Sequence, residues 1–446
     1  MRDMLDGDYP AFIEALEGGR AVRGARVNLI KRPDGRMPEL QGFSARKIGY
    51  TDNGYIIEGE GQIGRTAAHH AGLIYMQDPG AMAAMAALDI DPDWWVADLC
   101  AAPGGKSGQI AERLGEGGFL LSNEYVPKRA KTIVGNFERL GVCGAMVTSM
   151  DVSALAELYR SAFDLVVVDA PCSGEGMFRK SEEARAEWTP DAPPACAKRQ
   201  REILDNAIKL LRGGGRLLYS TCTWSTDENE EVVLWLLNRY PELSLIPVKD
   251  ELRAATSDGI ALGGREELKL TRRCYPHVTE GEGQYVALFK KDEKSNDLST
   301  IVYKESLKAP TKEEKTAFEV FAHDAFEVMP KGRLGKIGEN LVLVMHDCPI
   351  PPHSLFMGGV LVGEVRRGIL HPSHQLFSAL GKNFRRKVEL GECGERVEKY
   401  LSGEEIEVDL SDCGWCVATV DGAPLGGGKI SSGRMKNHYP KGLRNK

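Results

Sequence analysis

The chain has 446 residues, of which 42% are hydrophobic and 27% are charged, and its formal net charge is −7 at pH 7. This length predicts about three domains, and the composition excludes the disordered and collagenous classes. The ten cysteines are too dilute for a disulfide scaffold. No apolar run approaches the roughly 18 residues that a membrane helix needs, and the N-terminus lacks a secretory pattern. We therefore expect a monomeric protein of the cytoplasm that does not contact membranes.

The order of predicted elements divides the chain into four parts. Residues 1–75, with strand candidates at 26–30 and 54–58, predict a small α+β module that binds RNA. Residues 76–291 alternate β-branched runs with helical patterns, which is typical of a doubly wound, Rossmann-like parallel sheet. Its strand candidates are 94–99, 118–123, 144–149, 163–170 and 215–221. Residues 292–315 are highly charged with few large apolar side chains, which indicates a linker. Residues 316–446 predict a β-rich C-terminal region, with strand candidates at 341–345 and 415–420.

A glycine-rich turn follows the first strand of the predicted sheet and precedes a helical pattern. It consists of Cys100, Ala101, Ala102, Pro103, Gly104, Gly105 and Lys106. Such a turn lets a ligand approach the backbone, where a helix N-terminus offers free N–H donors. The first glycine of a phosphate-binding GxxxxGK[ST] loop would fall on Leu99. The turn therefore predicts a nucleoside site without a phosphate cradle.

Acidic residues end the next three strands. Glu124 follows the second strand about 20 residues after the glycine turn, where an acid accepts hydrogen bonds from ribose hydroxyls. Asp151 and Asp169 end the third and fourth strands. A single strand-end carboxylate is often only a helix cap, but all these ends meet at one edge of a parallel sheet. This set predicts an adenosine cofactor without phosphates, namely S-adenosylmethionine.

Two cysteines follow strands at the same predicted edge. Cys172 lies three residues after Asp169, and Cys222 follows the fifth strand. Free cysteines commonly serve as small buried hydrophobes, but these two lie in polar turns. Carbon 5 of a pyrimidine becomes nucleophilic only after a thiolate adds to carbon 6. Asp169 beside the ring could bind N3 and the exocyclic amine. The pattern therefore favours methylation of a pyrimidine at carbon 5.

The motifs of this region resemble those of the Sun/NSUN family of RNA (cytosine-5)-methyltransferases. The matching stretches include DLCAAPGGKS at 98–107, NEYVPKRA at 123–130, VVDAPCSGEGMFRK at 167–180, YSTCTWSTDENEEVV at 219–233 and YPHVTEGEGQYVALFKK at 275–291. The resemblance extends in register from about residue 23 to residue 291. It is strongest to the bacterial branch that methylates 16S rRNA, so it implies RNA, and rRNA of the small ribosomal subunit in particular, as the substrate.

The resemblance also implies roles for individual residues. Cys222, in the STCT motif, would attack carbon 6, and Cys172, in the DAPC motif, would assist release of the product. The glycine turn, Glu124, Asp151 and Asp169 would hold S-adenosylmethionine. Two small departures, Ser107 where Thr is common and Asp227 where Glu is common, do not touch this chemistry.

The C-terminal region is similar to PUA domains, which bind RNA. Lys429, Arg434 and Lys436 lie in a basic segment that would suit phosphates, with His438 and Tyr439 available to stack on a base. A solvated basic tail is the alternative interpretation.

Two other functions remain open at this stage. A ribosome-assembly factor that has lost catalysis would not need the intact cysteines, and a small-molecule methyltransferase would not need the flanking modules. Cys413 and Cys416 have the CxxC spacing of a zinc half-site, but no second half-site accompanies them. We therefore expect no metal.

Overall fold

The computed structural model describes residues 1–19, 21–294, 300–301, 303–409 and 412–445. Within these residues the helices are α1 (Arg2–Leu5), α2 (Tyr9–Glu17), α3 (Ala67–His70), α4 (Pro79–Ala86), α5 (Gly105–Ala111), α6 (Pro127–Leu140), α7 (Val152–Leu158), α8 (Glu182–Glu187), α9 (Ala192–Leu210), α10 (Glu230–Arg239), α11 (Asp250–Ala254), α12 (Lys312–Ala325), α13 (His374–Leu380) and α14 (Glu395–Ser402). None of these helices has the length and apolar character needed to cross a bilayer.

The strands of the described residues form five sheets. They are β1 (Gly24–Val27), β2 (Phe43–Lys47), β3 (Gly54–Gly59), β4 (Ile74–Met76), β5 (Trp95–Asp98), β6 (Phe119–Asn123), β7 (Ala145–Thr148), β8 (Tyr159–Arg160), β9 (Phe163–Asp169), β10 (Leu211–Thr221), β11 (Leu243–Leu245), β12 (Ser257–Asp258), β13 (Arg272–Cys274), β14 (Gln284–Lys291), β15 (Thr300–Ile301), β16 (Arg333–Ile337), β17 (Asn340–Val344), β18 (Leu355–Met357), β19 (Val360–Arg366), β20 (Ile369–Pro372), β21 (Lys387–Glu389), β22 (Ile406–Glu407), β23 (Gly414–Val420), β24 (Ala423–Ser431) and β25 (Arg434–Asn437).

The N-terminal module is a four-stranded sheet in the order β2-β3-β1-β4. Strand β3 matches the predicted strand at 54–58, whereas β1 ends three residues before the predicted end at residue 30. Asn28 causes this early end, because its side chain accepts a hydrogen bond from the backbone N–H of Ile30 and closes a turn. Helix α2, which precedes this sheet in the chain, packs on the central domain through Phe12. The Phe12 ring lies edge-to-face on Trp224, with the ring centroids 5.0 Å apart.

The central domain has the predicted Rossmann-like architecture. Its main sheet runs β12-β13-β14-β10-β9-β5-β6-β7-β18, and the five strands from β10 to β7 are parallel. Residues Leu165 to Val168 of β9 are fully buried and alternate between two cores. One core contains α7, α9 and α10, and the other contains α4, α5 and α6. Burial on both faces explains the unbroken apolar run of β9.

The C-terminal region is β-rich, as predicted. Its strands form one sheet in the order β16-β17-β19-β20 and another in the order β21-β23-β24-β25-β22, while β18 extends the main sheet of the central domain at β7. Part of the predicted linker packs on the central domain, since β15 pairs with β8. The hydroxyl of Tyr303 donates to the carbonyl oxygen of Pro349 at 2.6 Å and lies 2.7 Å from Tyr159 Oη, from which it can accept a hydrogen bond. Residues 295–299 and 302 of that segment lie outside the described residues.

A buried lysine joins three parts of the molecule. Lys31 Nζ donates hydrogen bonds to the carbonyl oxygen of Ala71 at 2.7 Å, to Ser378 Oγ at 3.3 Å and to the carbonyl oxygen of Pro424 at 2.8 Å. These partners belong to the N-terminal module, to α13 and to the last sheet. Burial lowers the pKa of Lys31 well below its ordinary value. The three acceptors replace the water that the amine loses on burial.

The buried ion pair between Arg273 and Glu230 supplies a stability test. The two side chains are 1% and 0% exposed. Replacing Arg273 with Met leaves the Glu230 carboxylate buried without a counter-charge, so we expect a destabilisation of about 3–5 kcal/mol in urea unfolding. The matched change Lys331→Met breaks a pair with Glu116 that is 80% and 81% exposed, and should cost less than about 1 kcal/mol. Equal small effects would contradict the burial argument.

Candidate active site

The pairing of β9 with β10 brings the two cysteine loops together. Asp169 lies opposite Ser220 in the parallel ladder, so both strands end at the same level of the sheet. Beyond these ends, Cys172 Sγ and Cys222 Sγ are 3.1 Å apart, and both are free thiols. The backbone N–H of Cys222 also donates to Cys172 Sγ at 3.3 Å. The two thiols can therefore act on one bound group.

The environment of the pair differs between its members. The hydrogen bond with Cys222, followed by burial, raises the pKa of Cys172 well above its ordinary value. Cys172 thus keeps its proton at neutral pH and can donate its S–H to the sulfur of Cys222. The ammonium of Lys106 lies within electrostatic reach of Cys222. The sulfur of Cys222 thus lies beside a thiol that keeps its proton and near a protonated amine.

Asp169 is the polar centre of the sheet edge. Its Oδ2 accepts from Lys106 Nζ at 2.7 Å, and its Oδ1 accepts from Ser220 Oγ at 2.7 Å and from Gln284 Nε2 at 3.4 Å. Burial acts to lower the pKa of Lys106, but the charge and hydrogen bond of Asp169 outweigh it and raise that pKa. Lys106 is therefore a firmly protonated ammonium that links the glycine turn to Asp169. The sequence predicted Lys106 as a cofactor residue and missed this second contact.

The glycine turn opens onto a cavity of about 210 Å³. Gly104 has a φ of 107°, a conformation that favours glycine, and α5 begins directly after it. The cavity is lined by Tyr75, Met76, Gln77, Asp78, Ala81, Asp98, Cys100, Ala101, Ala102, Pro103, Gly105, Lys106 and Asp169. Of the predicted cofactor residues, Gly104, Glu124 and Asp151 are not part of this lining. The turn and Asp169 thus share one cavity, and Glu124 and Asp151 lie outside it.

Asp98 is a cavity residue that the sequence arguments missed. Its Oδ2 accepts from Ser107 Oγ at 2.6 Å, while its buried Oδ1 has no hydrogen-bond partner among the described residues. Burial raises the pKa of Asp98 to about 7. A free buried acceptor beside the glycine turn fits the ammonium group of S-adenosylmethionine. The position of Asp98 at the end of β5 is the same strand-end signal that identified Glu124 and Asp151.

Glu124 and Asp151 occupy different environments at the neighbouring strand ends. Glu124 is buried, and its Oε1 accepts from the backbone N–H of Val126 at 3.0 Å. Asp151 is exposed and caps α7, with Oδ1 accepting from the backbone N–H of Ser153 at 2.9 Å. Glu124 retains acceptor capacity in a sheltered position, whereas Asp151 already performs the helix-capping role that any strand-end acid can have.

Two consecutive residues at the start of α10 hold the cysteine loops. Glu228 accepts from the backbone N–H of Ser173 at 3.0 Å, next to Cys172. Asn229 donates to the carbonyl oxygen of Thr223 at 3.0 Å, next to Cys222. Both side chains are fully buried. The sequence contained them only as part of a matching motif, and polar residues after the strand-end Cys222 were the one available signal.

The predicted RNA-binding residues of the last sheet share one exposed face. Lys429 lies directly opposite Lys436, and Arg434 is two residues before Lys436 on the same strand. The ammonium of Lys429 is 5.5 Å from the ring centroid of Trp415. The expected stacking role of Tyr439 is wrong, because its side chain is only 3% exposed. Lys446, at the end of the basic segment, lies outside the described residues.

Three family models match successive parts of the chain. They describe the N-terminal domain of 16S rRNA methyltransferase RsmF at residues 1–79, 16S rRNA methyltransferase RsmB/F at residues 85–290, and the RsmF PUA domain at residues 386–445. Two relatives named ribosomal RNA small subunit methyltransferase F cover nearly the whole chain. The one from Klebsiella pneumoniae is 31% identical over 94% of this chain and 90% of its own length. The one from Enterobacter sp. is 32% identical over 99% of this chain and 94% of its own length.

A solved structure supports the same fold. A methyltransferase homologue from Pyrococcus horikoshii is 28% identical, with a TM-score of 0.53 over 64% of this chain and 90% of that protein. Its overlap is consistent with the Rossmann-like architecture of the central domain described above.

The raised pKa of Asp98 predicts a pH dependence of cofactor binding. The Asp98 carboxyl, with a pKa of about 7, becomes an ionised acceptor for the cofactor ammonium as the pH rises. We therefore expect the affinity for S-adenosylmethionine, measured by calorimetry, to increase several-fold between about pH 6 and 7.5. Asp98→Asn should keep the Ser107 contact and flatten this dependence. An unchanged pH profile in the variant would remove Asp98 from the site.

Proposed function

The chain belongs to the RsmF family of S-adenosylmethionine-dependent 16S rRNA methyltransferases, and from this premise we propose that it methylates carbon 5 of cytidine in rRNA of the small ribosomal subunit. The observation that carries the proposal is the pair of thiols 3.1 Å apart beside Asp169. Methylation of an oxygen or an exocyclic nitrogen requires neither thiol. Addition to a pyrimidine ring and its reversal give both thiols a role.

Cys222 is the proposed nucleophile. Its thiolate forms a bond to carbon 6 of the cytosine, and the ring electrons move to carbon 5 and N3. Asp169 and the Lys106 ammonium, 2.7 Å apart, lie at the same sheet edge, where they can hydrogen-bond the ring and stabilise the developing charge. S-adenosylmethionine would supply an electrophilic methyl group; carbon 5 takes up this methyl as the methyl–sulfur bond breaks and its electron pair stays on the sulfur, which leaves as a neutral thioether. The raised pKa of Cys172 supports this assignment, because a thiol that keeps its proton is a poor nucleophile.

Cys172 is the proposed release residue. After methylation, carbon 5 carries both the methyl group and a proton, and the ring regains aromaticity when a water molecule takes up that proton as a base. The electrons of the carbon–hydrogen bond then restore the double bond, and the Cys222 sulfur departs from carbon 6 as a thiolate. Contact between Cys172 Sγ and Cys222 Sγ allows Cys172 to assist this elimination by sharing its proton with the departing sulfur.

The cofactor would be held by the glycine turn, Asp98 and the strand-end acids. We propose that the turn from Cys100 to Lys106 contacts the cofactor through its backbone and that Asp98 binds the ammonium. Glu124 and Asp151 would bind the ribose and the adenine side. Support comes from the cavity at the turn and from the burial of Glu124. Asp151 has the weakest support, because it is exposed and already caps α7.

The C-terminal sheet would bind the backbone of the RNA. Lys429, Arg434 and Lys436 present three exposed positive charges on one face, and such charges bind RNA phosphates. The PUA family match at residues 386–445 includes all three. We propose that this face secures the RNA while the cytidine enters the site between the cysteine loops.

Separate removal of the two cysteines tests the proposed chemistry. Cys222→Ala should abolish both methylation and any covalent adduct, because carbon 5 never becomes nucleophilic. Cys172→Ala should permit addition and methyl transfer but slow elimination, so that protein and RNA stay joined. A denaturing gel with labelled RNA of the small subunit measures both. An adduct that persists in Cys222→Ala and vanishes in Cys172→Ala would reverse the assignment, and methylation that survives both changes would refute it.

Neutralising the basic face tests the proposed RNA contact. The combined variant Lys429→Gln, Arg434→Gln and Lys436→Gln should weaken RNA binding and reduce the slope of log affinity against log salt by up to about 2, since each phosphate contact contributes about 0.7 on a single strand. Cofactor affinity should not change. Lys331→Gln, which removes an exposed lysine from another surface, is the control. A salt slope that the triple variant shares with the control would contradict the proposal.

A further inference from the structure

The two residues directly before α10 hold different cysteine loops by hydrogen bonds. Each of them is linked to the residues on both sides of the cysteine in its loop. Glu228 and Asn229 are adjacent in the chain, and both side chains are 0% exposed. Buried polar side chains are costly unless they are fully hydrogen-bonded. The hydrogen-bond partners of Glu228 and Asn229 therefore indicate which parts of the structure these two side chains hold in place.

Glu228 holds the residues that flank Cys172. Its Oε2 accepts from the backbone N–H of Ser173 at 3.0 Å and from Gln200 Nε2 at 2.8 Å, and its Oε1 accepts a short hydrogen bond from Ser173 Oγ. Gln200 Nε2 also donates to the carbonyl oxygen of Pro171 at 3.0 Å. Residues 171 and 173 are thus tied to the same carboxylate, the first through Gln200 and the second directly. All three donors require the acceptor oxygens of a carboxylate.

Asn229 holds the residues that flank Cys222. Its Oδ1 accepts from Thr221 Oγ1 at 2.6 Å, and its Nδ2 donates to the carbonyl oxygen of Thr223 at 3.0 Å. The amide supplies one acceptor and one donor, as this pair of partners requires. Among the described residues, Asn229 makes no hydrogen bond with residues 171–173. The residues that flank the two thiols are linked across the loops by the 3.0 Å contact of Ser173 Oγ with Thr223 Oγ1, and Thr223 Oγ1 also donates to Glu175 Oε2 at 3.1 Å.

We propose that Glu228 and Asn229 are positioning residues for the two steps of the reaction, with Glu228 placing Cys172 for product release and Asn229 placing Cys222 for addition to the cytosine. This inference rests on the proposed function, because it assigns the residues to the steps of that reaction. Neither residue touches the reacting atoms. Each acts through the loop that it holds, and the positions of the two loops are coupled because the two residues are adjacent in the turn that directly precedes α10.

Isosteric variants of the full-length protein can separate the two roles. Glu228→Gln puts an amide N–H₂ against donors and loosens the Cys172 loop, so release should slow by about tenfold or more and the covalent adduct should accumulate on a denaturing gel. Asn229→Asp puts an oxygen against the carbonyl oxygen of Thr223 and loosens the Cys222 loop. Formation of the adduct should then slow by a similar factor, while the release of an adduct once formed keeps its rate.

The control is Asp227→Asn, the neighbouring carboxyl, which makes no hydrogen bond or ion pair within the described part of the chain; it should leave both steps unchanged. Cofactor affinity, measured by calorimetry, reports whether each variant is folded. If Glu228→Gln does not fold, Ser173→Ala removes a donor from the same carboxylate and should also cause the adduct to accumulate. A purely structural role would slow both steps alike in both variants.

The outcomes distinguish this inference from the proposed function. If Cys172→Ala accumulates adduct and Glu228→Gln or Ser173→Ala does not, the positioning role is wrong and the cysteine chemistry stands. Equal slowing of both steps, or a reversed pattern, also overturns the positioning role. If neither Cys172→Ala nor Cys222→Ala changes the adduct, the proposed chemistry fails and the inference fails with it.

Discussion

The parallel pairing of β9 with β10 is the constraint on which the site depends. Neighbouring strands lie about 4.8 Å apart, and the register sets Asp169 beside Ser220. The loops that follow must therefore leave the sheet side by side, which brings two sulfurs from residues 50 positions apart into contact. A shift of one residue in this ladder would turn the strand-end side chains to the opposite face. The polar contact at the strand ends favours the observed register, because Ser220 Oγ donates to Asp169 Oδ1 at 2.7 Å only in this alignment.

Two buried ion pairs stabilise the polar groups near this edge. Lys106 and Asp169 neutralise each other, and Arg273 and Glu230 do the same behind the Cys222 loop. Arg273 also donates to the carbonyl oxygen of Trp224 at 2.9 Å. Charges that are paired and hydrogen-bonded keep fixed positions in a region of low dielectric constant. The site can therefore meet a flat aromatic ring with side chains that are already oriented.

The sequence predicted the layers of the central domain better than the details of its edge. Periodicity identifies a strand such as β9 because burial on both faces demands an unbroken apolar run. Hydrophobic periodicity does not predict where a local hydrogen bond ends an element. The side chain of Asn28 ends β1 in this way. The roles of Glu228 and Asn229 depend on loops more than 50 residues and about 6 residues away, respectively, so no local pattern could assign them. Tyr439 failed as a candidate because its burial depends on packing between domains.

The joint at Lys31 has a consequence for the order in which the molecule is built. Its acceptor at Pro424 is 393 residues further along the chain, and at roughly 5–20 residues per second a ribosome needs about 20 to 80 s to synthesise that distance. Ala71 is available to the amine from early in this interval, whereas Ser378 is synthesised shortly before Pro424. Water therefore hydrates this part of the N-terminal module until residue 424 has been made, and the contact with the last sheet can form only after that.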